Sequence, residues 1–372
     1  MSGSARWATM PLAAAVAITF TVAATMAQPA SAEGELNVYN WSDYIGENTV
    51  ANFEKEFNVK VRYDTYDGNE TLEAKLAVGK TGYDIVVPSS GFFARQIQSG
   101  FYKKLDKSKL DNWKNLDPFA LKNQAAYDPG NDYAAPYMWG TNGFTYNVAM
   151  IKERMPDAPL DSLRMMFDPE VVSKFQDCGV SWLDSPEDVF PLALAYMGKD
   201  PTSQNPDDII AATEMLLKVR PHIQLFDSQQ YLNALPTGDR CLAMTWSGDY
   251  SVAALRAEEA GVDIELAYTV AKEGSNLWFD AMLIPADAPN PENAHLFLNY
   301  MMRPDVIAEC TNYIGYANGN LAAKPLVSPD ILNDPAIYPD EETQKRMFPS
   351  VVRDEDVQRV ITREWTRLKT GQ

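Results

Sequence analysis

Hydrophobic and polar positions change period repeatedly along the chain. After Glu33 the run Leu36-Asn-Val-Tyr39 alternates as a half-buried strand does, and Val50, Phe53 and Phe57 then fall on one face of a helix. Val59-Lys-Val-Arg-Tyr63 returns to a strand, Glu70 to Val78 to a helix and Tyr83 to Val87 to a strand; a helix from Phe92 to Ser99 follows, stopped by Gly100. Short strands separated by amphipathic helices predict an α/β fold.

The same grammar restarts at Cys178 to Leu183, passes through helices from Pro186 to Met197 and Pro206 to Val219, and ends in a strand from Cys241 that feeds a helix from Tyr250 to Ala260. It predicts a second α/β lobe. Between the two, Ala135 to Tyr146 is rich in aromatics and β-formers yet interrupted by glycines, the pattern of a strand crossing a hinge, and a second crossing is expected near Ala267 to Trp278. Helices from Pro291 to Met302 and Pro304 to Tyr313 would complete the first lobe, and the amphipathic helix from Asp354 to Leu368 would pack on the second. The expected division is therefore 33–139 with 278–325, and 140–277 with 326–372.

The first 32 residues change the setting of this fold. Arg6 supplies a charged start, Leu12 to Met26 is apolar but short for a bilayer span, and Ala30-Ser31-Ala32 makes a small-residue cleavage site. This reads as an export signal removed after Ala32, giving a soluble, monomeric product in the periplasm. Removing Arg6 leaves 31 of the 32 basic residues against 51 acidic ones, a balance near −20 that disfavours nucleic acid and anionic lipid and suits a cationic ligand. Acidity that merely keeps a secreted protein soluble would look the same.

Two histidines, His222 and His295, are too few and too far apart for a typical transition-metal site or a histidine-based catalytic centre, so no metal or cofactor is expected. Of the three cysteines, Cys178 and Cys241 each open a buried-strand pattern. If those strands are parallel neighbours the two thiols sit at one level, which predicts a Cys178–Cys241 disulfide and leaves Cys310 free in a helix.

Ligands of open α/β sheets collect beyond the carboxyl ends of strands. Those positions here carry Trp41-Ser42-Asp43-Tyr44, Pro88-Ser89-Ser90-Gly91, Asp184-Ser185-Pro186-Glu187-Asp188, Trp246-Ser247-Gly248-Asp249 and Trp278-Phe279-Asp280. An aromatic residue beside an aspartate recurs. A polymethylene amine needs those two side-chain types, rings along its apolar spacer and a carboxylate for each desolvated ammonium. No basic residue stands in these loops, which argues against an anionic ligand. Each element also has a plain structural reading: Trp41 and Trp246 as core rings, Ser185 with Asp188 as a helix-capping box, Asp249 and Asp280 as caps or Asx turns. The same rings and acids would suit a secreted hydrolase acting on carbohydrate, but no acid pair has a distinguishing spacing and the common nucleophile, phosphate-loop and zinc motifs are absent.

At these loops the chain resembles the periplasmic polyamine-binding proteins of ABC importers, most specifically in Val38-Tyr-Asn-Trp-Ser-Asp-Tyr-Ile45, Tyr83-Asp-Ile-Val-Val-Pro-Ser89, Trp246-Ser-Gly-Asp249, Trp278-Phe-Asp280 and Tyr313-Ile-Gly-Tyr-Ala-Asn318. The resemblance implies a two-lobed, type II binding-protein fold, each lobe a mixed sheet flanked by helices, with the ligand cleft between them. It implies an aromatic box of Trp41, Tyr44, Trp246, Trp278 and Tyr316, ammonium contacts from Asp249 and Asp280, and polar contacts from Ser42, Asp43 and Ser89. Asp188 stands where the family has a glutamate, one methylene longer, with Glu187 beside it. Asp43, Asp249 and the small Gly91 resemble the putrescine-type members, Trp278 the spermidine-type, and Ser350 is expected at the far end of the pocket. The implied partners are putrescine or spermidine and, transiently, a membrane ABC permease; a sensor subunit that binds the same ligand but signals to a receptor would share every one of these residues.

Overall fold

Glycine at position 34, with φ +130, opens the first strand, β1 (Gly34–Trp41), whose Leu36, Val38 and Tyr39 are buried. The computed structural model describes residues 34–371; the predicted export signal and its cleavage point after Ala32 lie outside them. Among the described residues no helix is long and apolar enough to cross a membrane.

The remaining strands are β2 (Val59–Tyr66), β3 (Ile85–Val86), β4 (Ala134–Asn147), β5 (Val180–Trp182), β6 (Leu225–Phe226), β7 (Leu242–Trp246), β8 (Leu266–Thr269), β9 (Ser275–Leu283), β10 (Ala317–Asn318) and β11 (Met347–Pro349). They join in the order β2-β1-β3-β9-β4-β7-β5-β6, with β8 and β10 paired to β4 and β11 to β9. Two parallel wings, β2-β1-β3 and β7-β5-β6, thus flank an antiparallel centre of β9 and β4. Parallel strands need crossover connections, and helices supply them as the periodicity predicted.

β4 is the crossing strand expected around Ala135 to Tyr146. Every one of its residues is buried; its first half pairs with β9 from Ala134 to Thr141, and its second half with β7 from Asn142 to Tyr146. Its glycines are there for close approach: a Cβ on Gly140 would sit 2.5 Å from Cζ2 of Trp278, and one on Gly143 would sit 2.1 Å from the carbonyl oxygen of Thr269 in β8.

Apolar side chains gather separately about each wing. One cluster joins Leu36, Val38, Phe53, Ile85, Phe297, Leu298 and Ile314, so the helices Pro291–Met301 and Pro304–Ile314 cover the β1 wing. The other joins Val180, Trp182, Phe190, Ile209, Leu216 and Leu242 with Val357, Ile361, Trp365 and Leu368 of the helix Glu355–Thr370, which packs on the second wing. Trp246 touches both clusters. Ile331 and Tyr338 pack with the first wing.

β5 and β7 are parallel neighbours in the register Val180 to Leu242, which brings Cys178 and Cys241 level. They form a disulfide with a Cα separation of 5.5 Å across 63 residues of sequence. Cys310 is free and buried, with Thr49 Oγ1 at 3.3 Å. His295 accepts from the Asp106 amide at 2.9 Å and His222 bonds Gln176 at 2.9 Å, structural roles for both.

Three local expectations change. The helix expected from Tyr250 begins at Ser247, so Asp249 lies in its first turn rather than in a free loop. Trp278 and Asp280 are not at a strand end: β9 runs on to Leu283, because its pairing with β4 continues from Met138–Asp280 across a bulge between Pro136 and Met138 to Ala134–Leu283. Ser185 starts the helix Pro186–Tyr196, with Pro186 in the first turn, but its hydroxyl makes no capping bond.

Candidate functional site

One cavity of about 110 Å³ opens where the two wings meet. Strand ends and helix starts from both sides converge on it. Trp41 closes β1 and Trp246 closes β7; Ser89 precedes the helix Ser90–Gln98, and Asp188 and Asp249 sit in the first turns of their helices. Ser42, Tyr44, Trp278, Asp280 and Tyr316 complete the predicted set that lines it.

The rings are held by one another and by backbone carbonyls. Trp41 lies 4.7 Å from Tyr66 and 6.2 Å from Trp246, and its Nε1 donates to the Val87 carbonyl at 2.7 Å. Tyr44 meets Tyr316 edge-on at 5.0 Å, and Tyr316 stands 5.6 Å from Trp278. Gly248 makes this possible, since a Cβ there would fall 2.2 Å from Cδ2 of Tyr316. Aromatic faces carry negative potential, so this arrangement attracts a cation.

The carboxyls differ in what they already hold. Asp249 accepts from the Tyr316 hydroxyl at 2.5 Å and from the Tyr231 hydroxyl, both oxygens being engaged. Asp280 is only 5 % exposed, forms an isolated bridge with Ser89 and faces the Tyr44 hydroxyl, and its Oδ1 has no hydrogen-bond partner among the described residues. Burial pushes Asp280 up to about 7, opposed by Ser89 and Tyr44; it pushes Asp249 up to about 6, opposed by the two tyrosine hydroxyls. Both are poised to lose a proton when a positive charge arrives.

Asp188 is spent differently. Its Oδ2 accepts from Trp246 Nε1 at 3.2 Å, and Asn142 of β4 and Asn276 of β9 flank it. Burial raises it, as it raises Glu187, whose Oε1 lacks a partner among the described residues. Glu187 also lines the cavity, together with Gly91 and Ser350.

Asp43 is the one predicted site residue that the structure keeps away from the cavity wall. Its backbone adopts φ +53 and its carboxylate pairs with Arg256 at 3.1 Å, which turns it aside. The lining also includes residues that the sequence reading passed over: Tyr66, Asn69, Glu70, Arg95, Gln229 and Arg353. Tyr66-Asp67 closes β2 and carries the same aromatic–acid signature, so it was open to discovery. Asn69 holds Ser89, accepting from its amide at 3.0 Å and donating to its hydroxyl at 3.1 Å. The strand-end loops carry no basic residue, but Arg95 and Arg353 reach the cavity from a helix and a C-terminal segment outside those loops. Arg95 is matched by Glu73 through bonds of 2.7 and 2.8 Å.

Among the described residues no group of histidine, cysteine and acidic side chains is arranged to hold a metal ion. Rings around carboxyls at the meeting of two sheet wings are the side-chain chemistry that suits a small cation.

The chain is similar to a putrescine-binding periplasmic protein of Escherichia coli, 48 % identical over 344 residues, covering 92 % of this chain and 93 % of that one. A putrescine-binding periplasmic protein of Pseudomonas aeruginosa is 47 % identical over 357 residues, covering 95 % and 97 %. Among solved structures, a spermidine/putrescine ABC transporter protein from Listeria monocytogenes superposes with a TM-score of 0.81 at 32 % identity, covering 91 % of this chain and 99 % of that one. These relatives are transporter substrate-binding proteins, and the fold is the two-lobed binding-protein fold that the resemblance implied. Residues 48–339 match the family model for bacterial extracellular solute-binding proteins, and the chain belongs to that family.

Proposed function

We propose that this protein captures putrescine or spermidine outside the inner membrane and delivers it to an ABC permease. The observation that carries the reading is Asp280, a buried carboxyl with a free oxygen, set with Asp249 among Trp41, Tyr44, Trp246, Trp278 and Tyr316. The names of the relatives at 48 % and 47 % identity support the same ligand class.

In this reading the methylene spacer lies between rings, each well-placed ring adding about 0.5–2 kcal/mol of cation–π attraction. Asp280 meets one ammonium and Asp249 another, with Ser42 and Ser89 as polar neighbours. Asp188 acts chiefly by orienting Trp246. The first lobe is 33–139 with the segment from 278 to beyond Tyr338, and the second is 140–277 with the remaining C-terminal residues: the last crossing, expected at 325, is moved by the packing of Ile331 and Tyr338 with the first wing. Ligand contacts come from both lobes and are complete only when these approach, so binding favours the closed form that a permease recognises. The protein works as a monomer in the periplasm after cleavage at Ala32.

Isothermal titration of the purified protein with putrescine, spermidine and unrelated amino acids tests this. Saturable heat is expected for a polyamine at micromolar concentrations and for none of the amino acids; no polyamine heat sinks the reading.

A further inference from the structure

Asp249 is held on both sides. Tyr316 donates to its Oδ1 at 2.5 Å and Tyr231 to its Oδ2, and among the described residues these two hydroxyls are its only side-chain hydrogen-bond partners. Arg256, on the same helix, is paired instead with Asp43. Tyr316 lines the cavity beside Asp249, but Tyr231 does not: it is fully buried in the core of the second wing. Its hydroxyl has one acceptor among the described residues, and that acceptor is Asp249.

The backbone that carries Tyr231 is pinned by a second carboxylate. Asp227 follows β6, and its amide donates to the Trp182 carbonyl at the end of β5, at 2.9 Å. Its Oδ1 accepts from the amides of Gln229 and Gln230 at 3.0 and 2.9 Å and its Oδ2 from that of Tyr231 at 3.0 Å, which starts the helix Tyr231–Thr237. Arg240 stands 3.5 Å from the same carboxylate, and both are buried. A phenol fixed at its backbone and enclosed by a close-packed core has little freedom to turn its oxygen elsewhere. Ring and hydroxyl therefore do separate things: the ring fills the core, and the hydroxyl ends on an acid of the cavity wall.

We propose that Tyr231 is a positioning residue of the binding site, which holds Asp249 as an oriented carboxylate from behind the cavity wall. This rests on the polyamine reading of the cavity. Each carboxylate oxygen has about two lone-pair sites, so one bond from each tyrosine leaves capacity on both oxygens for an ammonium. Donation from two hydroxyls favours the ionised acid, while burial opposes it. The other charged or titratable groups that face Asp249 are Asp43, Arg256, Tyr44 and Tyr268, and Asp227 and Asp188 face Tyr231. Of these only Arg256 is positive, and Asp43 engages it at 3.1 Å. The two hydroxyls thus do most to offset burial, and at neutral pH an arriving ammonium meets a charge already formed and aimed.

Tyr231→Phe keeps the ring and removes the donor. Calorimetry of the full protein with putrescine is expected to show a loss of about threefold at pH 8 and at least about tenfold at pH 6, because the acid with one donor gone stays protonated to higher pH. In Asp249→Asn, which has no carboxylate to hold, adding Tyr231→Phe should change affinity by the same factor at both pH values. A Tyr231→Phe loss that is equal at pH 6 and pH 8 means damage to the core alone and overturns the inference, as does no loss at either pH, or a pH-dependent loss that persists in Asp249→Asn. Asp249→Asn also decides by itself, even if Tyr231→Phe fails to fold. With both tyrosines in place Asp249 is already ionised at pH 7, so putrescine binding to Asp249→Asn should release as many protons as binding to the wild type, to within about 0.3; a deficit near one proton overturns the inference. Absence of putrescine binding to the wild type would instead remove the polyamine reading itself.

Discussion

Asp43 Oδ2 lies 3.1 Å from Arg256 Nη2, an ion pair that ties the turn after β1 to the helix Ser247–Glu259 of the other wing. Arg256 also donates to Asn233 at 2.9 Å, so the pair is braced from one side. It joins the wings without lining the cavity. Both partners keep solvent contact, and such pairs contribute about 0.2–1 kcal/mol. Asp43→Asn is expected to weaken polyamine binding by no more than about fivefold, with a larger effect at low salt. A double-mutant cycle with Arg256→Gln measures the coupling; a loss above about thirtyfold would instead mean direct contact with the ligand.

Asp280→Asn leaves the shape of the site intact and removes the charge. Polyamine affinity should fall by about 2 kcal/mol or more, the scale of a charge-assisted bond whose ammonium partner stays desolvated. Unchanged affinity in calorimetry would remove Asp280 from the site.

The same substitution should raise the stability of the ligand-free protein. The folded pKa of Asp280, about 7, lies above its ordinary value of 3.8, so between these the folded chain holds a proton that the unfolded chain has released. Stability is therefore lost as pH rises through that window. At pH 8, thermal melting of Asp280→Asn is expected roughly 2–5 °C above wild type, and a lower melting point would contradict the assignment.

Polyamine amines stay largely charged up to about pH 8, so over the range below it the pH dependence of binding reports the carboxyls. With Asp280 near 7 and Asp249 near 6, affinity should fall steadily from pH 8 to pH 5.5, and binding near pH 6.5 should release protons. Calorimetry in buffers of different ionisation enthalpy counts them. Proton uptake, or affinity that is flat over this range, would contradict the pairing.

Trp278 packs over Gly140 and beside Tyr316, and its Nε1 has no partner among the described residues. Trp278→Phe shortens the wall of the box. Spermidine affinity is expected to fall more than putrescine affinity, because a longer ligand uses more of the ring; equal losses would show that the indole does not discriminate.

The alternation of periods was enough to predict the α/β class, the helices Thr49–Phe57 and Pro206–Val219 within a residue or so, and the crossing strand around Ala135 to Tyr146, because these follow from which side chains must leave water. The Cys178–Cys241 bridge was legible for the same reason: both residues open buried strands, and parallel pairing sets them level. The loops read as strand ends also supply part of the cavity lining, from Trp41 to Asp280, while Tyr316 was implied by the family resemblance alone.

What local pattern could not reach was decided by folding distant segments together. Asp43 looks like a ligand residue in Trp41-Ser42-Asp43-Tyr44 until Arg256, more than 200 positions away, captures it. Asp280 looks like a strand-end residue until pairing with β4 extends β9 past it and buries the carboxyl. Arg95 and Arg353 carry no local sign of facing the cleft, since their placement depends on a helix start and a C-terminal segment closing against each other. Sequence periodicity records burial one element at a time; charge in a cleft is a property of several elements at once. The chain alone therefore determined a binding-protein fold with an acidic, aromatic site, and tertiary structure decided which acids line the cavity and that two arginines line it with them.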